Sequence, residues 1–292
     1  MHKNFNWVSV VALALVLILS ACGSNNETDS ESAADKESEK ETTWDKINEE
    51  GEIVVGTSGT LYPTSYHKEE NNELTGYDIE VMREVAKKLD IEVTFEEIGI
   101  DGIFAALKSG RIDAAINDIG IKEERKKTYS FSDPYKYSYT TMIVREEDLS
   151  GIESIEDVKG KKAGGAANTG YSQLAEHYGA EVVTYGNATN DVYLRDVDNG
   201  RTDLIINDYY LQSLALEAMP QFDLTLHPDI KMNPSKQAIM MGKEDQELQK
   251  KINEAIAELH EDGTLTEISK KFFNGQDASK KPEGDFEEVN YE

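Results

Sequence analysis

The sequence has few residues of several kinds. Its 292 residues include one cysteine, Cys22, six prolines and two tryptophans. Basic residues are also scarce, because 30 Lys and Arg face 57 Asp and Glu, which gives a formal charge of −27. A single cysteine excludes an intramolecular disulfide. The acidic balance argues against a nucleic-acid partner, since proteins that bind phosphate backbones carry clustered positive charge.

The common sequence signatures of catalysis are absent as well. The patterns GxxxxGK[ST], GxGxxG, HExxH and GxSxG do not occur. Histidines that could bind a metal lie far apart in sequence, and we interpret each of them as a surface residue: His67, His177, His227 and His260. We therefore expect no enzymatic activity, no cofactor and no metal site.

Long apolar runs are missing except at the N-terminus, where Val8 to Leu19 is interrupted only by Ser9. A helix of twelve residues is about 18 Å long, which is shorter than the roughly 30 Å apolar core of a bilayer. The run therefore predicts a signal peptide, residues 1–21, and not a membrane span. Ser20 and Ala21 before Cys22 resemble the lipobox of bacterial lipoproteins, which implies that Cys22 is acylated. Ordinary cleavage that leaves a free thiol is the alternative.

Two segments of the chain are acidic and poor in large apolar residues. Residues 22–43 contain none, so we expect an acidic, disordered tether. Residues 276–292 have six acids and two lysines and predict a flexible acidic tail. The folded body is then expected between Trp44 and Gly275.

An internal repeat lies within this body. Residues 110–118 (GRIDAAIND) and 200–208 (GRTDLIIND) match at six of nine positions. Each copy predicts the end of a helix, a glycine turn, a buried parallel strand and a polar pair at the carboxyl end of the strand, where open α/β sheets bind ligands. The repeat predicts two similar lobes, and chance similarity of two helix–strand units is the alternative. Apolar periodicity elsewhere also predicts an α/β protein.

Several short segments occur in an order typical of one family. They are GTSGTLYP at residues 56–63, LTGYD at 74–78, ALKSGRID at 106–113, ERKK at 124–127, FSDPY at 131–135 and DGTL at 262–265. With them the chain resembles the extracytoplasmic solute-binding proteins of polar amino acid ABC transporters. The resemblance covers nearly all of residues 44–275.

The resemblance implies an α/β, two-lobed periplasmic-binding-protein-like fold of type II. Lobe 1 would comprise residues 44–139 and 238–275, and lobe 2 residues 140–237. Two hinge strands would cross between the lobes near Tyr139 to Val144 and Gln237 to Met241. The ligand would lie in the cleft, and the lobes would close around it.

The resemblance also implies roles for single residues. Arg125 matches the arginine that grips the ligand α-carboxylate, and Asp208 matches the acid of the second lobe that takes the α-ammonium group. An exposed arginine at a helix start and a helix N-cap are the respective alternatives. Thr169 and Gly170 match a loop whose backbone amides contact the carboxylate. Other residues expected to line the pocket are Ser58, Tyr62, Ile100, Asn117, Asp118 and Gly120.

Some positions depart from the common family pattern. Leu61 and Ile100 stand where many members have aromatic residues, and Gly120 stands where threonine is frequent. The opening turn and Asn117 are most similar to the cystine or sulfur amino acid subgroup.

The function implied is that of a monomeric lipoprotein on the extracytoplasmic face of the bacterial cell membrane. It would capture an L-amino acid, with cystine among the candidates, and deliver it to a permease and ATPase. One alternative is a sensor domain that feeds a signalling receptor. Another is a cyclohexadienyl dehydratase-like enzyme, in which Asp118 would be the acid.

Overall fold

The computed structural model describes residues 42–165, 169–184 and 190–289. The predicted signal peptide, Cys22 and the predicted tether up to residue 41 lie outside the described residues. The helices are α1 (Thr43–Glu50), α2 (Tyr77–Lys88), α3 (Ile100–Ser109), α4 (Glu123–Lys126), α5 (Gly170–His177), α6 (Asn190–Asp198), α7 (Tyr209–Ala218), α8 (Gln246–Glu261) and α9 (Thr264–Phe272). The strands are β1 (Glu52–Thr57), β2 (Thr60–Leu61), β3 (Ser65–His67), β4 (Leu74–Thr75), β5 (Glu92–Glu97), β6 (Ala114–Ala115), β7 (Tyr129–Phe131), β8 (Lys136–Arg145), β9 (Lys162–Gly165), β10 (Glu181–Thr184), β11 (Ile205–Asp208), β12 (Leu224–Leu226), β13 (Met232–Gln237) and β14 (Met240–Gly242).

Lobe 1 is built on a five-stranded sheet in the order β5-β1-β6-β14-β7. Strand β1 lies between β5 and β6 and is parallel to both. Helices α1, α2, α8 and α9 cover one face of this sheet and α3 covers the other. Because both faces are covered, β1 is an almost continuous apolar run in the sequence. Trp44 packs at the edge of the first of these cores, where the Lys251 ammonium lies 5.8 Å from its ring centroid.

Lobe 2 is built around the long strand β8. Strands β11, β12 and β13 all pair with β8 in antiparallel fashion, while β9 and β10 form a separate parallel pair. Apolar side chains fill two cores in this lobe, one of which contains Met142 and Val144 and the other Ile143. Consecutive residues of β8 thus face opposite cores, as the two-residue period of a strand requires.

The two sheets are joined where β8 pairs with β13, with Lys136 opposite Gln237 and Thr140 opposite Met232. The chain passes between the lobes twice, and both passages lie a few residues earlier in the chain than the sequence predicts. Residues 141–145 of β8 already belong to the lobe-2 sheet, and β14 belongs to the lobe-1 sheet. The apolar runs are buried inside the sheets, whereas the crossing itself consists of the more polar segments KYSYT and NPSKQ.

The two copies of the repeat form similar helix–strand units, but their strands, β6 and β11, pair differently with neighbouring strands. Gly110 and Gly200 follow helices α3 and α6 with φ of 72° and 69°, a left-handed conformation that favours glycine. Strand β6 is parallel to β1, as predicted. Strand β11 is antiparallel to β8, and a parallel contact occurs only in the single bridge between Leu204 and Ala163. The second copy therefore has the predicted parallel neighbour, β9, at Leu204, and in addition an antiparallel neighbour, β8, along β11.

Residues 276–289 depart from the predicted flexible tail. The Ala278 carbonyl accepts a hydrogen bond from the Tyr137 N–H, and the Ala278 side chain is completely buried. Further on, Phe286 contacts the ring of Tyr139, and Glu287 pairs with the backbone of β13 and the residue before it. We call residues 276–289 the C-terminal strap, because they run from lobe 1 across the hinge strands to lobe 2. Residues 290–292 lie outside the described part.

One predicted surface histidine is buried. The His227 ring is 3% exposed, its Nε2 lies 3.0 Å from the Ile152 carbonyl oxygen, and its Nδ1 accepts from the Ile230 N–H. This residue fastens the loop before β13 to the core of lobe 2. Over the described ranges, we find no helix with the length and apolar character needed to cross a membrane.

Candidate functional site

The turns that follow β1 and β6 lie side by side, because these strands are parallel neighbours. The buried Asn117 accepts at Oδ1 a hydrogen bond from the Ser58 N–H (2.8 Å) and one from Thr57 Oγ1 (3.3 Å). Its amide group therefore ties the two turns together. They form the edge of the sheet at which α/β proteins bind ligands.

Arg125 lies on the short helix α4 next to this edge. Its Nη1 donates to the Gly120 carbonyl oxygen (2.8 Å), and its guanidinium carbon lies 5.5 Å from the ring centroid of Phe104. Partial burial lowers the pKa of the guanidinium from its ordinary value, which means that the charged form is incompletely solvated. An anion bound at Arg125 would supply the missing stabilisation, and the planar fork suits a carboxylate.

A cavity of about 420 Å³ opens beside Arg125. We call it the lobe-1 cavity. Its lining residues are Ser58, Thr60, Leu61, Gly99, Phe104, Asn117, Asp118, Ile119 and Arg125. Apart from the charged Asp118 and Arg125, the lining is apolar or uncharged.

Asp208 ends strand β11 and is the N-cap of helix α7. Its Oδ1 accepts from the N–H groups of Tyr210 (3.0 Å) and Leu211 (3.2 Å), and Oδ2 accepts from the Ser138 hydroxyl. Asp208 is 8% exposed. A carboxylate has about four acceptor positions, so these three bonds leave room for one more donor. The capping role is thus present in the structure and is compatible with ligand binding.

Thr169 caps helix α5, with its Oγ1 accepting from the Ser172 N–H (3.1 Å), and Gly170 is the first residue of that helix. Thr169 lines a second cavity of about 820 Å³, the lobe-2 cavity, which follows helix α7. Tyr62 of lobe 1 lines the same cavity; its side chain is 61% exposed and packs edge-on against Tyr66.

The structure thus divides the predicted site residues into groups. Ser58, Asn117, Asp118 and Arg125 share the lobe-1 cavity, whereas Tyr62 and Thr169 share the lobe-2 cavity. Asp208, Gly120 and Gly170 line neither of these two cavities, although Gly120 contacts Arg125 through its carbonyl. Ile100 is the first residue of α3, and its side chain lies outside what the structure describes.

A buried group of charges adjoins the lobe-1 cavity. Lys136, at the start of β8, is 2% exposed, and its Nζ lies 2.8 Å from Asp118 Oδ1. Asp78 is completely buried and accepts hydrogen bonds from the Asp118 N–H and the Tyr135 hydroxyl. Asp208 adds a further negative charge close enough to act on Lys136. We call Asp78, Asp118, Lys136 and Asp208 the hinge charge cluster.

The charges of this cluster depend on one another. Burial, together with the neighbouring Asp118 charge, raises the pKa of the Asp78 carboxyl to about 8. Burial alone would lower the pKa of Lys136, but the charges of Asp118, Asp208 and Asp78 outweigh burial and raise it above its ordinary value. At neutral pH, Lys136 is therefore charged and Asp78 is mostly protonated.

Three residues of this region did not emerge from the sequence: Asp78, Phe104 and Lys136. Asp78 lies in the segment LTGYD, where it has the appearance of an ordinary acid in the first turn of a helix. Lys136 begins a strand, where lysine usually marks an exposed edge. The position of Lys136 between tyrosines in the segment FSDPYKYSY was the one feature of the sequence that could have indicated a buried charge. Within the described ranges, no group of three His, Cys, Asp or Glu residues is placed to hold a metal ion.

Known proteins resemble this chain along most of its length. Residues 53–275 match the bacterial extracellular solute-binding proteins, family 3. The probable ABC transporter extracellular-binding protein YckB of Bacillus subtilis (strain 168) is 54% identical over 279 residues, which are 95% of this chain and 94% of that protein. A crystal structure of YckB superposes with a TM-score of 0.83 and 56% identity, covering 85% of this chain and all of that one.

Relatives with a named ligand include two that are described as L-cystine-binding. The L-cystine-binding protein TcyA of Bacillus subtilis (strain 168) is 35% identical over 281 residues, 94% of this chain and 97% of that protein. The L-cystine solute receptor of Neisseria gonorrhoeae, in its unliganded open conformation, superposes with a TM-score of 0.68 and 33% identity, covering 81% of this chain and 98% of that one. On these matches and on its two-lobed fold, the chain belongs to the bacterial extracellular solute-binding proteins, family 3.

Proposed function

We propose that this protein is the extracytoplasmic amino-acid-binding component of an ABC transporter. The observation that carries the proposal is Arg125, a half-buried cation held against Gly120 and Phe104 at the wall of the lobe-1 cavity. The relatives YckB, a probable ABC transporter binding protein, and TcyA, an L-cystine-binding protein, support the same function. The protein would act as a monomer that passes its ligand to a permease and ATPase.

In the proposed complex, the ligand bridges the two lobes. Arg125 of lobe 1 binds the α-carboxylate, and Asp208 of lobe 2 accepts from the α-ammonium group through its remaining acceptor position. The backbone at Thr169 and Gly170 adds donors at the start of helix α5. Because the two charged contacts come from different lobes, the ligand favours the closed arrangement over the open one.

We further propose that the ligand has a polar side chain of no net charge, with cystine as the first candidate. Ser58 and Asn117 provide polar groups at one side of the lobe-1 cavity, while Leu61 and Phe104 provide apolar surface. The cystine-binding relatives support this choice.

Isothermal titration calorimetry of the purified protein with each L-amino acid tests the proposal. Arg125→Ala should weaken binding more than tenfold, or by at least about 1.4 kcal/mol, because the ligand carboxylate loses its counter-charge in a closed cleft. Asp208→Asn should have a similar effect on affinity while retaining the helix cap, since asparagine is an equally good N-cap. Asp208→Ala removes both charge and cap, so the comparison separates the two roles.

Lys126→Met is the matched control, because it removes an exposed cation from the same helix as Arg125. Unchanged affinity in Arg125→Ala would refute the site assignment. Absence of binding to any amino acid would refute the proposed function.

We infer that the protein binds its ligand without converting it. Asp118, the acid that a dehydratase-like reaction would require, already accepts a hydrogen bond from the buried Lys136 ammonium and so has its partner within the protein. The same calorimeter tests this inference with prephenate and arogenate. A substrate that turns over gives sustained heat after each injection, whereas simple binding returns to baseline.

We propose in addition that Cys22 is acylated and anchors the protein to the membrane. The support is the small-residue pair before the only cysteine, at the end of the apolar segment. Mass spectrometry of the mature N-terminus would show the acyl groups.

A further inference from the structure

The lobe-1 cavity has one anionic lining residue, Asp118, and both its backbone and its side chain are held by hydrogen bonds. The Asp118 N–H donates to Asp78, and the Asp118 carboxylate accepts from Lys136. Its backbone φ is 51°, a left-handed conformation that is uncommon outside glycine, asparagine and aspartate. The carboxylate is therefore held in one position at the cavity, with 25% of the side chain exposed.

Lys136 balances this carboxylate from the protein side. The lysine is buried behind the cavity wall, where it has little access to water, and the rings of Tyr210 and Phe273 lie within 6.0 Å of its ammonium group. A buried ammonium requires a counter-charge, and the nearest one is Asp118. Lys136 does not line the cavity itself, so in the wild type it acts on a ligand through the charge of Asp118, which it balances.

The positive and negative side chains around the proposed ligand are consequently equal in number. The cationic side chains are Arg125 and Lys136, the acidic ones beside them are Asp118 and Asp208, and the raised pKa of Asp78 keeps it mostly neutral at pH 7. The ligand carboxylate pairs with Arg125, and its ammonium group pairs with Asp208. Asp118 and Lys136 then satisfy each other, and no net charge remains to complement a charged side chain.

We propose that Lys136 is a specificity-determining residue, whose ion pair with Asp118 restricts the site to amino acids with side chains of no net charge. This inference rests on the proposed function. Arginine and lysine would bring a cation to a carboxylate that already has its partner, and glutamate would bring an anion to the same oxygens. Cystine satisfies the rule, because its second half carries one positive and one negative charge.

Lys136→Met tests the proposal, with binding measured by calorimetry for L-arginine, L-lysine, L-glutamine, L-cystine and L-glutamate. The wild type should bind a neutral ligand and discriminate against both arginine and lysine. In Lys136→Met, Asp118 is free to pair with a cationic side chain, so the affinity for arginine or lysine relative to glutamine should rise by at least about tenfold. Lys126→Met, which removes an equal charge from the surface, should leave the selectivity unchanged.

Asp118→Asn provides the reverse test and also serves if Lys136→Met does not fold. It leaves the Lys136 ammonium without its nearest counter-charge, so the affinity for glutamate relative to glutamine should rise by at least about tenfold. The double variant Lys136→Met with Asp118→Asn should recover the selectivity of the wild type.

The two hypotheses fail in different ways. If Lys136→Met binds neutral ligands but gains nothing for cationic ones, or if the wild type prefers arginine, Lys136 does not set the charge class and the proposed function still stands. If the wild type binds no amino acid, the proposed function fails and the role of Lys136 fails with it.

Discussion

Asp78 lies in the first turn of helix α2 and is completely buried beside Asp118, Tyr135 and Lys136. A raised pKa in the folded state means that folding favours the protonated carboxyl. Its contribution to stability is therefore fully present below the unfolded pKa of 3.8 and is lost as the pH rises through about 8. Asp78 thus makes the folded protein less stable on the alkaline side.

Asp78→Asn should remove this dependence, because asparagine keeps the shape and the neutral state of the protonated acid. The free energy of unfolding of the wild type should fall relative to that of the variant by roughly 2 kcal/mol or more between about pH 5 and pH 9. Urea denaturation across this range measures the difference. Glu84→Gln, on the outer side of the same helix, is the control, and parallel pH profiles for wild type and Asp78→Asn would contradict the expectation.

Sequence reasoning at the residue scale located Arg125, Asn117 and Ser58 within one cavity, because each lies in a motif at the end of a strand or the start of a helix. Lys136 and Asp78 were missed for a physical reason. The character of a buried charge depends on which other charges surround it, and these come from α2, the β6 turn, β8 and α7. The local sequence around Lys136 does not indicate which charges surround this residue in the fold.

At the scale of elements, the C-terminal strap differs most from its prediction. Its composition is acidic and poor in large apolar residues, which is typical of disordered segments. The contacts that hold it are backbone hydrogen bonds to Tyr137, Lys231 and Asn233, together with the buried Ala278. Composition does not reveal backbone pairing, whereas helices such as α2 and α8 follow directly from their apolar periodicity.

Truncation after Gln276 should destabilise the protein by about 3 kcal/mol, given about 1 kcal/mol for each of several lost hydrogen bonds. The N–H groups of Tyr137 and Asn233 would lose their acceptors in the strap, and the Ser269 hydroxyl would lose the N–H that Ala278 donates to it. Truncation after Val289 is the matched control, because it retains every one of these contacts. Equal urea midpoints for the two truncated proteins would show that the strap does not stabilise the fold.

At the scale of the whole molecule, the order of motifs along residues 56–265 was sufficient to predict a two-lobed solute-binding fold. The exact crossing points were not predicted, because apolar runs mark the interior of a sheet and not the passage between sheets. The formal charge of −27 belongs mainly to the solvated exterior, while the proposed recognition depends on a few charges of both signs near the hinge. The proposed membrane attachment rests on Cys22 near the N-terminus.

Replacing the anchor residue therefore should change where the protein is found without changing its fold. Expressed in a bacterium that processes lipoproteins, the wild type should partition into a detergent phase, since two acyl chains suffice for stable attachment. Cys22→Ser should remain in the aqueous phase, and Ser24→Ala should behave as the wild type. Identical partitioning of wild type and Cys22→Ser would exclude acylation of Cys22.

The position of Trp44 has a consequence for optical assays. Trp7 belongs to the predicted signal peptide, so Trp44 would be the only tryptophan of the mature chain. Trp44 lies against Lys251 of helix α8, and both residues belong to lobe 1. Tyr139 and Tyr209, by contrast, stack with centroids 4.6 Å apart between hinge strand β8 and helix α7. We therefore expect tryptophan fluorescence to change little when the cleft closes, and tyrosine absorbance to report the closure.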